Sequence, residues 1–179
     1  MTEPDHFSLF GLPTRFAVDE DALASAYRTV QAQVHPDRFA SAGAAERRVA
    51  LEWAARANEA FRVLRSPLRR ATYLCEVHGA RVDSESNTSM PAAFLVEQMA
   101  WREALEEARA GGDVEALAQL ARRTDAAHRE ALGEIGQLID ERGDYAGAAA
   151  VVRRLMFVEK FRDEVAAASA DHGVDFAGG

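Results

Sequence analysis

The chain has 179 residues, of which 48% are hydrophobic and only one is cysteine, so it can bury a core but cannot form an internal disulfide or a cysteine cage for a metal. No apolar run is long enough to cross a bilayer, and no basic-then-apolar signal pattern opens the sequence. We therefore expect a cytoplasmic protein that does not enter a membrane.

The net charge of −8 is distributed unevenly along the chain. Residues 1–80 contain ten Arg and ten Asp or Glu, whereas residues 81–179 contain eleven Lys or Arg and nineteen Asp or Glu. An acidic surface repels a phosphate backbone, so we expect no nucleic-acid partner. The acidic second half would suit a basic protein partner, although an excess of acid also serves solubility alone.

The first residues predict a short apolar turn and then a helix. The turn contains Phe7, Leu9, Phe10 and Leu12. The helix is predicted over residues 19–34, with Asp19 as its N-cap. Its apolar stripe has three-and-four spacing and consists of Leu23, Tyr27, Val30 and Val34. Pro36 ends the helix, because proline has no N–H to donate and disfavours helical geometry at the residue before it. A loop is expected from there to residue 43.

Two further helices are predicted over residues 44–65 and 66–78. The core-facing stripe of the longer helix is expected to contain Val49, Trp53, Ala57, Phe61 and Leu64. Ser66 followed by Pro67 is typical of a helix start, because serine caps and proline is tolerated at the first helical position. Gly79 is expected to end the third helix. These elements form a predicted first unit over residues 1–78.

The rest of the chain predicts a three-helix bundle behind a linker. Residues 79–90 are polar and are interpreted as the linker. Helical runs follow over residues 91–110, 113–142 and 144–170, and the short connections between them make neighbouring helices antiparallel. The middle run has a seam of Leu117, Leu120, Thr124, His128, Ala131, Ile135 and Leu138. Residues 171–179 show no pattern and are predicted to be a frayed tail. The fold class is therefore all-α.

The tripeptide His35-Pro36-Asp37 stands between the first two helices. Alone, it predicts little more than a polar turn with one carboxylate that could accept a bidentate arginine contact. Its context is more informative, because an aromatic-and-leucine opening precedes it, Arg38-Phe39 follows it, and Asn58-Glu59-Ala60-Phe61 lies on the next helix. This combination resembles the J-domain family. The resemblance implies an antiparallel helical hairpin with the HPD loop at its tip.

Longer stretches in both halves resemble the HscB family, the J-domain co-chaperones of iron–sulfur cluster assembly. These stretches are residues 8–13 (SLFGLP), 35–40 (HPDRFA), 64–71 (LRSPLRRA) and 93–99 (AFLVEQM). The resemblance implies that the chain is not an enzyme. It implies that the first unit stimulates the ATPase of a DnaK-like chaperone of the HscA type, and that the bundle delivers an iron–sulfur scaffold protein of the IscU type. No cofactor and no metal are implied.

The resemblance also implies which residues bind the chaperone. They are His35, Pro36, Asp37, Arg38 and Arg28. Asp37 would pair with a chaperone arginine, while His35 and Pro36 shape the loop. J-domains usually have several basic residues on the helix before the loop, whereas this helix has only Arg28. We therefore expect weaker electrostatic steering and a dedicated partner.

The first helix of the bundle has apolar residues on two faces. At about 100° per residue, one stripe is expected to face the core and consists of Phe94, Trp101, Leu105 and Ala108. The opposite side contains Leu95, Val96, Met99 and Glu103. These residues could pack against the first unit or the linker, or they could bind a partner.

The resemblance favours the partner and implies a set of scaffold-binding residues. They are Leu95, Val96, Met99, Ala100, Glu103 and Phe157. Ala100 stands where such relatives often have a charged residue, and Arg102 is a weaker candidate. Phe157 is expected to point away from the core stripe of the last helix. That stripe consists of Val151, Leu155, Val158 and Val165.

Two other functions remain open from the residues alone. A general J-domain co-chaperone that delivers unfolded clients to DnaK would usually have a Gly/Phe-rich linker and cysteine-rich zinc modules, which this chain lacks. A metal-dependent hydrolase would need histidines at ligand spacing, but the histidines are scattered. We expect Cys75 to be a buried small hydrophobe, His128 a hydrogen-bonded seam residue, and Glu106 with Glu107 a solvated helix face.

Overall fold

The residues described by the computed structural model are 5–39, 42–82 and 90–171. Every regular element in these ranges is helical, and no helix among them is long and apolar enough to cross a bilayer. The chain divides into two compact units, residues 1–78 and 79–179. The predicted linker at 79–90 and tail at 171–179 lie mostly outside the described residues, so their boundaries stay predictions.

The first unit contains three α-helices, which are α1 Glu20–Val34, α2 Ala44–Arg65 and α3 Pro67–Val77. The side chain of Asp19 caps α1 by accepting a backbone N–H at 2.9 Å. The helix ends before Pro36, as predicted. The side chain of Ser66 caps α3 in the same way, with Pro67 at the start of that helix. These three sequence predictions are confirmed.

Helices α1 and α2 form an antiparallel hairpin. Tyr27 of α1 stacks on Phe61 of α2 with ring centroids 4.1 Å apart, and Gln31, one turn later on α1, donates to Asn58, about one turn earlier on α2. Because the contacts advance along α1 while they retreat along α2, the helices run in opposite directions. The unit buries side chains from its opening turn and all three helices, including Phe7, Leu23, Ala57, Leu64, Ala71, Leu74 and Cys75.

The predicted core stripe of α2 is wrong in its first half. Val49 is 46% exposed and Trp53 is 37% exposed, whereas Ala57 and Leu64 are fully buried as expected. The buried residue of the first turns is Ala50, so the true stripe passes through small side chains that a search for large apolar residues undervalues. In addition, α2 has 22 residues and α1 has 15, so α1 cannot cover α2 along its full length.

The second unit contains the other three α-helices, which are α4 Ala92–Gly111, α5 Val114–Gly136 and α6 Tyr145–Asp171. A π-helical segment, Gln137–Glu141, extends α5. The connections after α4 and after this segment turn at Gly112 and Gly143, with φ of +60° and +63°, which glycine adopts without strain. The three predicted helical runs are confirmed to within two residues.

The core of the second unit is formed by the predicted apolar stripes of its three helices. On α4 the whole predicted stripe is buried. On α5 the predicted seam is buried except at His128 and Leu138, which are half-buried. On α6 the predicted stripe is buried together with neighbours that include Val152, Phe161 and Ala168. Helix α6 is therefore buried over a wider arc than the sequence pattern predicts.

Candidate protein-docking sites

Pro36 and Asp37 lie on a 3-10 helix, Pro36–Phe39, where a loop was expected, and His35 directly precedes it as the C-cap residue of α1. The Arg38 N–H donates to the carbonyl of His35 at 3.0 Å, and the Arg38 guanidinium donates to the carbonyl of Ala32 at 3.1 Å. A cation that bonds a carbonyl in the last turn of a helix also interacts favourably with the helix dipole. Arg38 therefore holds the tripeptide against the end of α1.

The carboxylate of Asp37 projects into solvent. Its side chain is 91% exposed, and that of His35 is 56% exposed. The Asp37 N–H donates to His35 Nδ1 at 3.3 Å, and the same nitrogen lies 3.5 Å from the Asp37 carboxylate. A carboxylate this accessible can accept two parallel N–H bonds from an arginine on a visiting protein.

The outer surface of α1 presents little positive charge to such a partner protein. Arg28 is exposed and is the only basic residue of α1. Gln31 is occupied within the hairpin, because its amide donates to the Tyr27 hydroxyl at 3.0 Å and to Asn58. The helix before the loop therefore presents a single cation, as expected from the sequence.

A second surface lies on the solvent side of α4. Val96 is 67% exposed and Met99 is 71% exposed, Ala100 and Glu103 are also exposed, and Leu95 is half-buried. The predicted exposure opposite the buried stripe is confirmed for Val96, Met99 and Glu103 and only in part for Leu95. Two large apolar side chains exposed one turn apart make this face a candidate binding surface.

The second half of this same face is acidic. At about 100° per residue, Glu103, Glu106 and Glu107 lie within roughly 100° of arc, and all three are exposed. The sequence predicts Glu106 and Glu107 only as a solvated helix face. Their angular position on the helix, next to Glu103, is the signal that places them on the candidate surface. We call this surface the α4 outer face, with an apolar half (Leu95, Val96, Met99, Ala100) and an acidic half (Glu103, Glu106, Glu107).

Phe157 does not point away from the core, and that expectation is wrong. Its ring lies 5.7 Å from Phe94, 6.4 Å from Trp101 and 5.9 Å from Phe161, measured between centroids. The Arg102 guanidinium lies over the ring, 5.6 Å from its centroid. Phe157 is half-buried because these aromatic rings widen the core beyond the aliphatic stripe. Only its remaining surface can meet a partner.

The second unit also has an open groove of about 520 Å³. Its apolar lining includes Phe94, Ala127 and Val158, and its charged lining includes Glu97 and Arg123. No histidine, cysteine, serine or threonine lines it. Within the described ranges, no group of three or more His, Cys, Asp or Glu is placed to hold a metal ion. The groove therefore offers no hydroxyl, thiol or imidazole group, and its ionisable lining consists of glutamates and arginines.

Cys75 and His128, for which the sequence predicts no functional role, have the surroundings that were expected. Cys75 is fully buried. His128 is half-buried, with Nε2 3.3 Å from a carboxylate oxygen of Glu159.

Comparison with known proteins identifies the family. Residues 90–166 match a family model described as the HSCB C-terminal oligomerisation domain. A co-chaperone protein HscB homolog from Bordetella petrii is 55% identical over 94% of this chain and 98% of its own length. Another from Aromatoleum aromaticum is 53% identical over 91% and 92%, respectively. The chain belongs to the HscB family.

Two solved structures of HscB proteins share the fold. Chaperone HscB from Vibrio cholerae superposes with a TM-score of 0.83 at 34% identity, covering 94% of this chain and 99% of the other. Human co-chaperone HscB superposes with a TM-score of 0.85 at 25% identity, covering 92% and 82%. Membership in the HscB family confirms the predicted fold, an N-terminal J-domain and a C-terminal helical domain. It also confirms the predicted function class, a co-chaperone of iron–sulfur cluster assembly and not an enzyme.

Proposed function

We propose that this HscB-family chain links two proteins. Its J-domain stimulates the ATPase of a DnaK-like chaperone of the HscA type, and its bundle binds an iron–sulfur scaffold protein of the IscU type and delivers it to that chaperone. The observation that supports the proposal most strongly is the 91% exposure of Asp37 at the tip of a helical hairpin.

The proposed chaperone-binding residues are His35, Pro36, Asp37, Arg38 and Arg28. Asp37 would accept a bidentate contact from a chaperone arginine, which is stronger than a neutral hydrogen bond. The contact of Arg38 with the end of α1 restricts the loop, which reduces the conformational entropy lost on docking. Arg28 would add one favourable charge to the encounter.

The loop is tested by measuring the steady-state ATPase rate of the chaperone with parent and Asp37→Ala chains. Removing a central charged contact typically costs 2 kcal/mol or more, so we expect stimulation to fall by about tenfold or more at a fixed subsaturating concentration. Asp21→Ala is the matched control, because Asp21 is an exposed acid on α1 away from the loop. Equal stimulation by Asp37→Ala and parent would refute the role proposed for the loop.

The proposed scaffold-binding residues are Leu95, Val96, Met99, Ala100, Glu103 and Phe157. The α4 outer face, apolar in one half and acidic in the other, fits a partner with an apolar patch beside basic residues. Val96 and Met99 would form the apolar contact, and Glu103 would meet the basic residues. Because Ala100 stands where relatives often have a charged residue, the centre of this contact would rely more on burial of apolar surface.

Capture of the scaffold by the full chain tests this face. We expect Val96→Ser/Met99→Ser to weaken binding by about tenfold or more, because the two side chains lose apolar burial at the centre of the contact. Both residues are exposed, so the variant should keep the stability of the parent. Val114→Ser is the control, since Val114 is 40% exposed in the same unit but lies on α5. Unchanged capture would count against the α4 outer face.

The alternative function is a general J-domain co-chaperone that delivers unfolded clients to DnaK. The α4 outer face is confined to one helix and combines an apolar half with an acidic half, which favours one folded partner over many unfolded ones. An assay of how well the chain keeps denatured model proteins in solution separates the two functions. Efficient protection that is lost in Val96→Ser/Met99→Ser would favour the alternative.

The cytoplasmic location expected from the sequence stays a prediction. A tagged full chain followed by cell fractionation tests it, and recovery in the membrane or extracellular fraction would contradict it.

A further inference from the structure

The first half of α2 presents large apolar side chains to solvent. Val49 is 46% exposed and Trp53 is 37% exposed, and their four-residue spacing places them about 40° apart on one helix face. The Arg56 guanidinium lies on this face, 5.3 Å from the centroid of the Trp53 ring. We call Val49, Trp53 and Arg56 the α2 patch. Tryptophan and arginine are the residue types that most often dominate binding energy at interfaces.

The first half of α2 also has the basic residues that α1 lacks. Residues 44–56 contain three Arg and two Glu, whereas α1 contains one Arg, one Glu and one Asp. Arg47 and Arg48 are exposed directly before the patch. The Arg48 guanidinium lies 3.7 Å from Glu52, and an exposed pair of this kind is weak enough to yield to a partner. The charge balance favours an acidic partner surface at α2 rather than at α1.

The α2 patch lies close enough to the HPD loop to share a partner with it. The 3-10 helix that contains Asp37 packs against α2, and Trp53 stands nine residues after Ala44, which is about 14 Å along the helix axis. A standard interface buries about 800 Å² on each partner, a disc roughly 30 Å across. One protein that contacts Asp37 can therefore also cover Val49 and Trp53.

We propose that the α2 patch is a second docking contact for the same DnaK-like chaperone, where it replaces the basic residues missing from α1. This inference rests on the function proposed for the HPD loop. The matching chaperone surface has an apolar recess for Trp53, rimmed by acidic side chains that meet Arg47, Arg48 and Arg56. Asp37 triggers the ATPase, and the α2 patch sets how tightly the J-domain is held.

The test measures chaperone ATPase stimulation as a function of co-chaperone concentration, using full-length chains. We expect Trp53→Ser to raise the concentration for half-maximal stimulation about tenfold and to leave the maximal rate unchanged. Arg47→Glu/Arg48→Glu changes only exposed side chains. It should also raise the concentration for half-maximal stimulation, and that concentration should depend less on salt than it does for the parent. Leu51→Ser is the matched control, because Leu51 is 58% exposed on the same helix but about 160° around from Trp53.

The outcomes separate this inference from the function on which it rests. If Asp37→Ala abolishes stimulation while the α2 variants match the parent, the α2 contact is wrong and the loop proposal stands. If Asp37→Ala stimulates like the parent, the loop proposal itself fails. If Trp53→Ser instead lowers scaffold capture, or converts a self-associated species to monomer, the patch binds the scaffold or a second copy, and the inference is overturned.

Discussion

The imidazole of His6 illustrates how burial sets the ionisation of one side chain. It stacks on the ring of Tyr73, with centroids 4.3 Å apart and planes at 17°. Desolvation by this burial lowers the pKa of His6 below its usual value of 6.5, and it outweighs the negative charges of Glu59 and Asp5, which act in the opposite direction. A proton on His6 therefore favours the unfolded chain.

We expect the free energy of unfolding of the J-domain to fall as the pH drops below about 6.5. In that range the unfolded chain binds a proton at His6 that the folded chain does not bind, so stability rises with pH and is fully present above the unfolded pKa. His6→Gln cannot titrate and should flatten the dependence between about pH 7.5 and 5.5. Urea denaturation at several pH values measures this, with His78→Gln as the exposed control. Identical pH profiles for parent and His6→Gln would contradict it.

Single residues were predictable from sequence where the local chain decides their surroundings. Pro36 ends α1 at any location in a fold, and an unpaired carboxylate such as that of Asp37 just beyond the helix end is rarely buried. Phe157 and Trp53 were not predictable in this way. The first is half-buried because three aromatic rings from α4 and α6 surround it, and the second is exposed because the buried arc of α2 passes through Ala50 and Ala57. Both results depend on neighbours distant in sequence.

The junction between α2 and α3 depends on a buried arginine. Arg70 is only 5% exposed, its guanidinium donates to the carbonyl of Leu64 in the last turn of α2, and it lies 5.1 Å from the centroid of the Phe16 ring. A cation at a helix C-terminus complements the helix dipole and satisfies a carbonyl that has no partner within the helix. Arg70 thus ties α3, the end of α2 and the segment before α1 together.

We expect Arg70→Met to destabilise the J-domain by about 1.5–3 kcal/mol, because the Leu64 carbonyl loses a charged donor while it stays buried. Arg69→Met is the matched control, because Arg69 is the exposed neighbour and surface changes usually fall within about 0.5 kcal/mol. Urea denaturation followed by circular dichroism measures the difference between the two. Equal stability of both variants would show that Arg70 contributes no more than a surface residue.

Whole elements were predictable where large side chains follow the helical period. The buried and exposed faces of α4 agree with the sequence because Phe94, Trp101 and Leu105 repeat on one stripe over three turns. The stripe of α2 failed because its buried positions are alanines, such as Ala50 and Ala57, which contribute little to an apolar pattern. Arg70 could not be found from periodicity at all, since a charged residue inside a helix is usually exposed.

In the whole molecule, one unit is proposed to trigger the chaperone and the other to hold the scaffold. The J-domain places Asp37 at the tip of a hairpin, and the bundle presents the α4 outer face. Linking two binding sites in one chain raises the effective concentration of the second partner at the first. The scaffold should therefore enhance ATPase stimulation only when both sites are intact in the same chain.

The most direct measurement compares the scaffold-enhanced ATPase rate of the chaperone with the parent chain and with an equimolar mixture of two full-length variants. One variant is Asp37→Ala, which keeps the α4 outer face, and the other is Val96→Ser/Met99→Ser, which keeps the loop. The account predicts that the mixture stimulates the chaperone but shows no enhancement when the scaffold is added, because no single chain holds both proteins. A mixture that restores the enhanced rate of the parent would contradict it.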